Sequence, residues 1–202
     1  MENLSIGNMT RLCGSVDGKA RFSHISRNRK YYVFPLRVAR LSGAEDVINV
    51  VCDEEKLTAL EPDGSSMLRV TGELRSYNNK SGVGNKLVIF VYANSLEFCE
   101  DEPENSISLR GTICRQPSLR MTPLGREICD LLVAVNRPYG RSDYLPCISW
   151  GQYAREASTW SVGDSVELEG RVQSRCYIKN IDGEQLRKTA FEVSASTIEK
   201  LI

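Results

Sequence analysis

Histidine is almost missing from these 202 residues; His24 stands alone. One imidazole makes a zinc site an unpromising expectation. The seven cysteines are scattered, odd in number and never spaced as CxxC. Free, mostly buried thiols in a reducing cytoplasm are expected instead of a disulfide framework. No apolar run approaches the roughly 18 residues that cross a bilayer. The opening "MENLSIGNMT" has neither the basic nor the apolar region of a secretory leader. Also missing are a GxxxxGK[ST] loop, a GxGxxG after a strand, and an acidic cluster at a strand end. The glycine-rich "SGVGNK" at 81–86 sits in an expected hairpin with no helix after it, so it reads as a flexible turn. Neither catalysis, a cofactor nor a metal is expected.

Net charge is missing too: 26 Lys and Arg face 26 Asp and Glu, which at first argues against a nucleic-acid partner. The distribution reverses that argument. Residues 1–99 hold thirteen basic residues against eleven acids, and residues 105–202 hold the same. Glu100, Asp101, Glu102 and Glu104 fall together in "EDEPEN", a solvated joint containing Pro103. Each half is slightly basic.

What is present is a repeat. "LCGSV" at 12–16 matches "LRGTI" at 109–113, and the same offset of 97 aligns "FPLRVAR" (34–40) with "LLVAVNR" (131–137). It also aligns "VINVVC" (47–52) with "YLPCIS" (144–149). With one inserted residue, "VTGELRS" (70–76) falls on "LEGRVQS" (168–174). Each copy reads β, β, β, short helix, β, β. In the second copy the strands are expected near 107–113, 127–136, 143–150, 165–175 and 187–198, from β-branched content and the turns "TPLG" and "IDGE". The helix falls at "QYAREASTW", where Tyr153, Ala157 and Trp160 would share an apolar face and Trp160 would plug the barrel. In the first copy Asp53 is the expected N-cap of "DEEKLTAL". Five strands with a helix before the fourth describe an OB barrel. The fold expected is all-β: two tandem OB-fold barrels, residues 1–99 and 106–202, joined by an acidic linker at 100–105.

The stretch "SDYLPCISWGQYAREAS" (142–158) carries the sharpest functional signal. As a strand it puts Tyr144, Pro146, Ile148 and Trp150 on one face and Leu145, Cys147 and Ser149 on the other. The second face is small and apolar enough to enter a tight barrel. Further aromatics of the second copy are Tyr139, Tyr177 and Phe191, the last assigned to the core with Val193 and Ala195. Interleaved with them are Arg137, Arg141, Arg171, Arg175, Lys179, Arg187 and Lys188. Rings stack on unpaired bases and cations track phosphates; together they make a groove for a single strand. A strand tyrosine as half-buried packing, and a surface arginine as merely solvated, are the bland alternatives.

The run "ISLRGTICRQPSLRMTPLGREICDLLVAVNRPYGRSDYLPCISWG … VGDSVELEGRVQSRCYIKNIDGEQ" resembles the bacterial single-stranded DNA-binding protein family over most of residues 105–200. The resemblance implies an OB fold, oligomerisation, and sequence-tolerant binding of single-stranded DNA in replication, recombination and repair. It implies a cytoplasmic, nucleoid-associated protein. Its base-stacking positions fall on Tyr139, Tyr144, Trp150 and Tyr177. Family members commonly carry a disordered tail with an acidic tip that recruits repair and replication enzymes; this chain stops at "TIEKLI", so recruitment by that route is not expected. The family's usual four barrels would here be met by a homodimer of two-barrel chains.

The first copy resembles the family only through the repeat. Ser42, Val47 and Asp53 stand at the equivalents of Tyr139, Tyr144 and Trp150, and Tyr77 lies near that of Tyr177. Its hairpin "RFSHISRNRKYY" offers Arg27, Arg29, Lys30 and Tyr31, with Tyr77, as possible secondary DNA contacts, or else as an ordinary solvated turn. Two rival readings stay open: a primosomal or assembly OB protein acting mainly on other proteins, and an RNA-binding OB protein, because stacking does not distinguish the sugars.

Overall fold

The computed structural model describes residues 7–60, 62, 66–81, 84–100, 102–138, 140–181 and 184–202. For Lys179, Ile181, Glu184, Leu186 and Arg187 only the backbone is described. The elements in order are β1 (Asn8–Val16), β2 (Arg21–Ser26), β3 (Arg29–Ala39), β4 (Glu45–Asp53), α1 (Glu54–Leu60), β5 (Met67–Asn78) and β6 (Leu87–Phe98). Then come β7 (Glu104–Met121), β8 (Glu127–Arg137), β9 (Arg141–Trp150), α2 (Gly151–Ala157), β10 (Ser165–Ile181) and β11 (Glu184–Lys200). The chain forms two compact units, one of residues 1–75 with 90–109, the other of residues 76–89 with 110–202. β7 begins inside "EDEPEN", and the tip of the β5–β6 hairpin goes with the second unit.

In the first unit β1 pairs antiparallel with β3 (Ser15↔Arg37) and with β5 (Thr10↔Gly72). β3 pairs with β4 (Leu36↔Ile48), β4 runs parallel to β6 (Val50↔Val91), and β6 neighbours β5, which closes the ring. Alternation fills it: Leu12, Phe34, Leu36, Ile48, Val70 and Val91 are at most 1% exposed. Asp53 caps α1 as expected, its Oδ1 accepting the Lys56 N–H at 2.9 Å. One strand is additional. The chain breaks after Val16 at Gly18 (φ +114°) and resumes as β2, which among the described residues pairs with β3 alone. In the second copy the equivalent path stays one strand, β7, carried past two register shifts between Ile113 and Ser118.

The second unit repeats the ring: β7 with β8 (Thr112↔Ala134), β8 with β9 (Leu131↔Cys147), β9 parallel to β11 (Cys147↔Val193), β11 with β10 (Val193↔Val172), and β10 back to β7. Both units are OB barrels. Gly72 and Gly170, matched in the repeat, explain why their blocks persist. A Cβ at Gly72 would fall on the Tyr92 carbonyl oxygen, and one at Gly170 on that of Ser194. Only glycine lets the strands approach that closely.

Two expected packing positions are corrected. The buried face of α2 is Ala154 and Ala157, with Trp160 (5% exposed) in the turn that follows, whereas Tyr153 is 38% exposed. The helix ends at Ala157, so the spacing that linked Tyr153 to Trp160 does not run its full length. Trp160 is buried, and its carbonyl accepts from Gln116 Nε2 at 3.1 Å. Phe191 is only half-buried, while Val193 and Ala195 are buried. Its register partner is Ser174, and the next four residues, Arg175 to Ile178, are all exposed. The β10–β11 hairpin leaves the barrel there, and Phe191 sits at the rim.

Candidate nucleic-acid interface

The alternation of β9 places its rings. Asp143 and Leu145 are fully buried, and Tyr144 between them is 45% exposed. Leu145, Cys147 and Ser149 point inward as the pattern requires. On the opposite face Pro146 is half-buried, Ile148 is buried and Trp150 is half-buried. Trp150 donates from Nε1 to Ser194 Oγ on β11 at 3.0 Å, which fixes the ring while leaving part of it open. Six residues of strand separate the two rings by about 20 Å.

Tyr177 is 37% exposed on the projecting β10–β11 hairpin, opposite Lys188. Arg141 and Arg171 are exposed. Arg175 lies 3.3 Å from the buried Glu192, which also accepts from Gln173 Nε2 at 2.9 Å. Lys179 and Arg187 lie on the same hairpin, their side chains outside the described set, and Tyr139 is outside the described residues. Tyr144, Trp150 and Tyr177 thus belong to one barrel and share it with Arg141, Arg171 and Lys188.

Arg137 has a different role from the one its charge suggests. Its guanidinium grips both oxygens of Asp143, and Nη2 also donates to the Ser76 carbonyl at 3.1 Å. Asp143 further accepts the Ser76 N–H at 2.5 Å, and Ser76 Oγ accepts the Tyr144 N–H at 2.8 Å. The sequence missed this cluster, although it held a signal. Arg40 and Asp46 sit 97 residues earlier, and there too Nε reaches Oδ2 at 2.6 Å and Nη2 reaches Oδ1 at 2.5 Å, with Asp46 fully buried. A basic residue kept in both copies with an acid six positions on marks a buried pair.

The first unit carries rings at positions the repeat did not point to. Arg27 and Asn28 turn the β2–β3 hairpin with φ of 48° and 61°. Arg21, Arg27, Arg29 and Lys30 are exposed on it. Tyr31 stacks on His24 at 4.9 Å and 8°. Tyr92 of β6 lies 6.0 Å from Tyr31, with the Arg75 guanidinium 3.8 Å over its ring. Burial, then the Tyr31 hydroxyl, pushes the Tyr92 phenol up to about 12. Lys30 is paired: its Nζ and the Tyr32 hydroxyl both donate to Glu54 Oε1 at 3.1 Å, which holds Glu54 below its ordinary range. Asp53 is not an exposed anion at the Trp150 equivalent. It is 5% exposed; burial would raise its pKa, but the Lys56 ammonium and N–H outweigh that and lower it.

Fold and site together define a tandem OB protein with an exposed ring-and-cation face on its second barrel. Residues 104–201 match the model described as the single-strand binding protein family. A single-stranded DNA-binding protein of Halalkalibacterium halodurans is 31% identical over 104 residues, covering 48% of this chain and 60% of that protein. Single-stranded DNA-binding protein A of Bacillus subtilis is 29% identical over 104 residues, 48% of this chain and 59% of that protein. The match thus spans about three-fifths of the length of these curated relatives. The wild-type single-stranded DNA binding protein of Thermus aquaticus shares the fold at a TM-score of 0.77 and 21% identity, over 96% of this chain and 93% of that one. The chain is therefore like bacterial single-stranded DNA-binding proteins in the sequence of its second copy and in the fold of nearly its whole length.

Proposed function

We propose that this protein binds single-stranded DNA without strong sequence preference, with the second barrel as the principal platform. The observation that carries the reading is Tyr144: a large ring 45% exposed on a strand whose two adjacent side chains are fully buried. A rigid barrel holds it face-outward, so a base can stack on it with little conformational entropy to lose. Tyr177 and the open part of Trp150 extend the platform, and Tyr139 is assigned to it from the family resemblance. Arg141, Arg171, Arg175 and Lys188 supply positive charge for phosphates, as do Lys179 and Arg187 of the same hairpin. Any base offers a π-face, hence the tolerance for sequence. Service in replication, recombination and repair, and assembly of two chains into a four-barrel homodimer, are part of this proposal.

The test is a titration of labelled oligo-dT, oligo-rU and duplex of equal length. Tight binding of oligo-dT, weaker binding of duplex, and a roughly ten-fold or larger loss in Tyr144→Ala are expected, since stacking is worth about 1–3 kcal/mol per base. Tyr144 is exposed, so this variant keeps its fold. Preference for oligo-rU would move the protein to the RNA-binding class. No affinity for any strand would favour a protein-interaction module.

A further inference from the structure

We infer that the β5–β6 hairpin of the first repeat is built into the binding face of the second barrel, with Tyr77 as an additional stacking residue there. The inference rests on the single-strand reading above. Residues 76–89 form one compact unit with residues 110–202. The base of the hairpin is fastened at Ser76, which gives its N–H to Asp143, its carbonyl to Arg137 and its Oγ to the backbone N–H of Tyr144. The N–H and Oγ of Ser76 are thereby tied to the strand that presents Tyr144, and its carbonyl to Arg137 at the end of the neighbouring β8. The far end is fastened as well. Asn85 Nδ2 donates to the Thr189 carbonyl at 2.6 Å, and Lys188 Nζ to the Gly84 carbonyl at 3.3 Å. Lys188 is the register partner of Tyr177. The hairpin therefore runs from the Tyr144 strand to the Tyr177–Lys188 pair, between two rings already assigned to bases.

Tyr77 follows Ser76 directly, its Cα about 3.8 Å from that of Ser76, and it is 53% exposed. The segment "SYNNKSGVGNKLVI" contains Lys80 and Lys86 and no acid, and both lysines are exposed. An exposed ring on the residue after Ser76 and two exposed lysines on the same hairpin are the chemistry that a single strand requires.

The test uses the full chain and oligo-dT. Tyr77→Ala should bind about five- to ten-fold more weakly, and Tyr77→Phe should bind like the parent, because the ring and not the hydroxyl stacks. If Tyr144→Ala weakens binding and Tyr77→Ala does not, the inference is wrong while the single-strand reading stands. If neither variant changes affinity, the single-strand reading itself fails. A second measurement locates Tyr77. An oligo of about eight nucleotides, within the span of one OB barrel, is made with one 5-iododeoxyuridine and photocrosslinked. Crosslinks at Tyr77 should fall in the Tyr144→Ala/Tyr177→Ala variant. Undiminished crosslinking there would place Tyr77 at a separate site and overturn the inference.

Discussion

Asp143 is sealed from solvent, yet it carries a charge that Arg137 and the Ser76 N–H both answer. A buried ion pair adds little over a well-packed apolar pair, but removing one partner strands the other. Asp143→Ala should therefore cost about 3–5 kcal/mol, read as a lowered urea midpoint at unchanged slope. Asp143→Asn keeps an acceptor for Ser76 and should cost less. At this scale the sequence was legible where a residue's role follows from its own strand: Tyr144 out, Leu145 and Cys147 in. It was illegible where the role comes from a segment far along the chain. Nothing near Arg137 in sequence says that its guanidinium also meets the Ser76 carbonyl, 61 residues away.

At the level of elements, α1 and the turn after α2 are held by carboxylates whose pKa values lie below their ordinary range. Asp53 has the Lys56 N–H and ammonium; Glu54 has Lys30 and Tyr32; Asp164 has Lys200, at 2.8 Å, and the Ser161 N–H. A depressed folded pKa gives stability that is complete above the unfolded value, about 4, and is lost as pH falls through the folded value. Thermal midpoints should thus be flat for these groups between pH 5 and 8 and decline below about pH 4. Lys56→Met should remove part of that acid-side slope. A decline that began near pH 6 would contradict this assignment. The barrel strands, both helices and the Asp53 cap were readable from alternation and capping chemistry. The split of the first strand into β1 and β2 was not, because one glycine, Gly18, decides it. The apolar face of α2 was misread through counting Trp160 into a helix that stops at Ala157.

For the molecule as a whole, a zero net charge does not set the salt dependence of binding; the cations that face the strand do. Arg137 is ion-paired with Asp143 and 21% exposed, so it leaves the set available to phosphates. Arg141 and Arg171 are exposed, and Lys188 stands with Lys80 and Lys86 on the hairpin side. Engagement of about four to six phosphates at roughly −0.7 each gives a slope of log K against log salt near −3 to −4. Arg141→Gln should make that slope shallower by about 0.7 with the urea midpoint unchanged. Arg137→Gln should do the reverse: the midpoint falls because Asp143 is left unpaired, while the slope for the protein that remains folded is kept. Fluorescence titrations from 50 to 400 mM NaCl, beside urea melts of the same preparations, read both quantities. If Arg137→Gln flattened the salt slope as much as Arg141→Gln, the guanidinium would be meeting phosphate, and its assignment to the Asp143 cluster would fail.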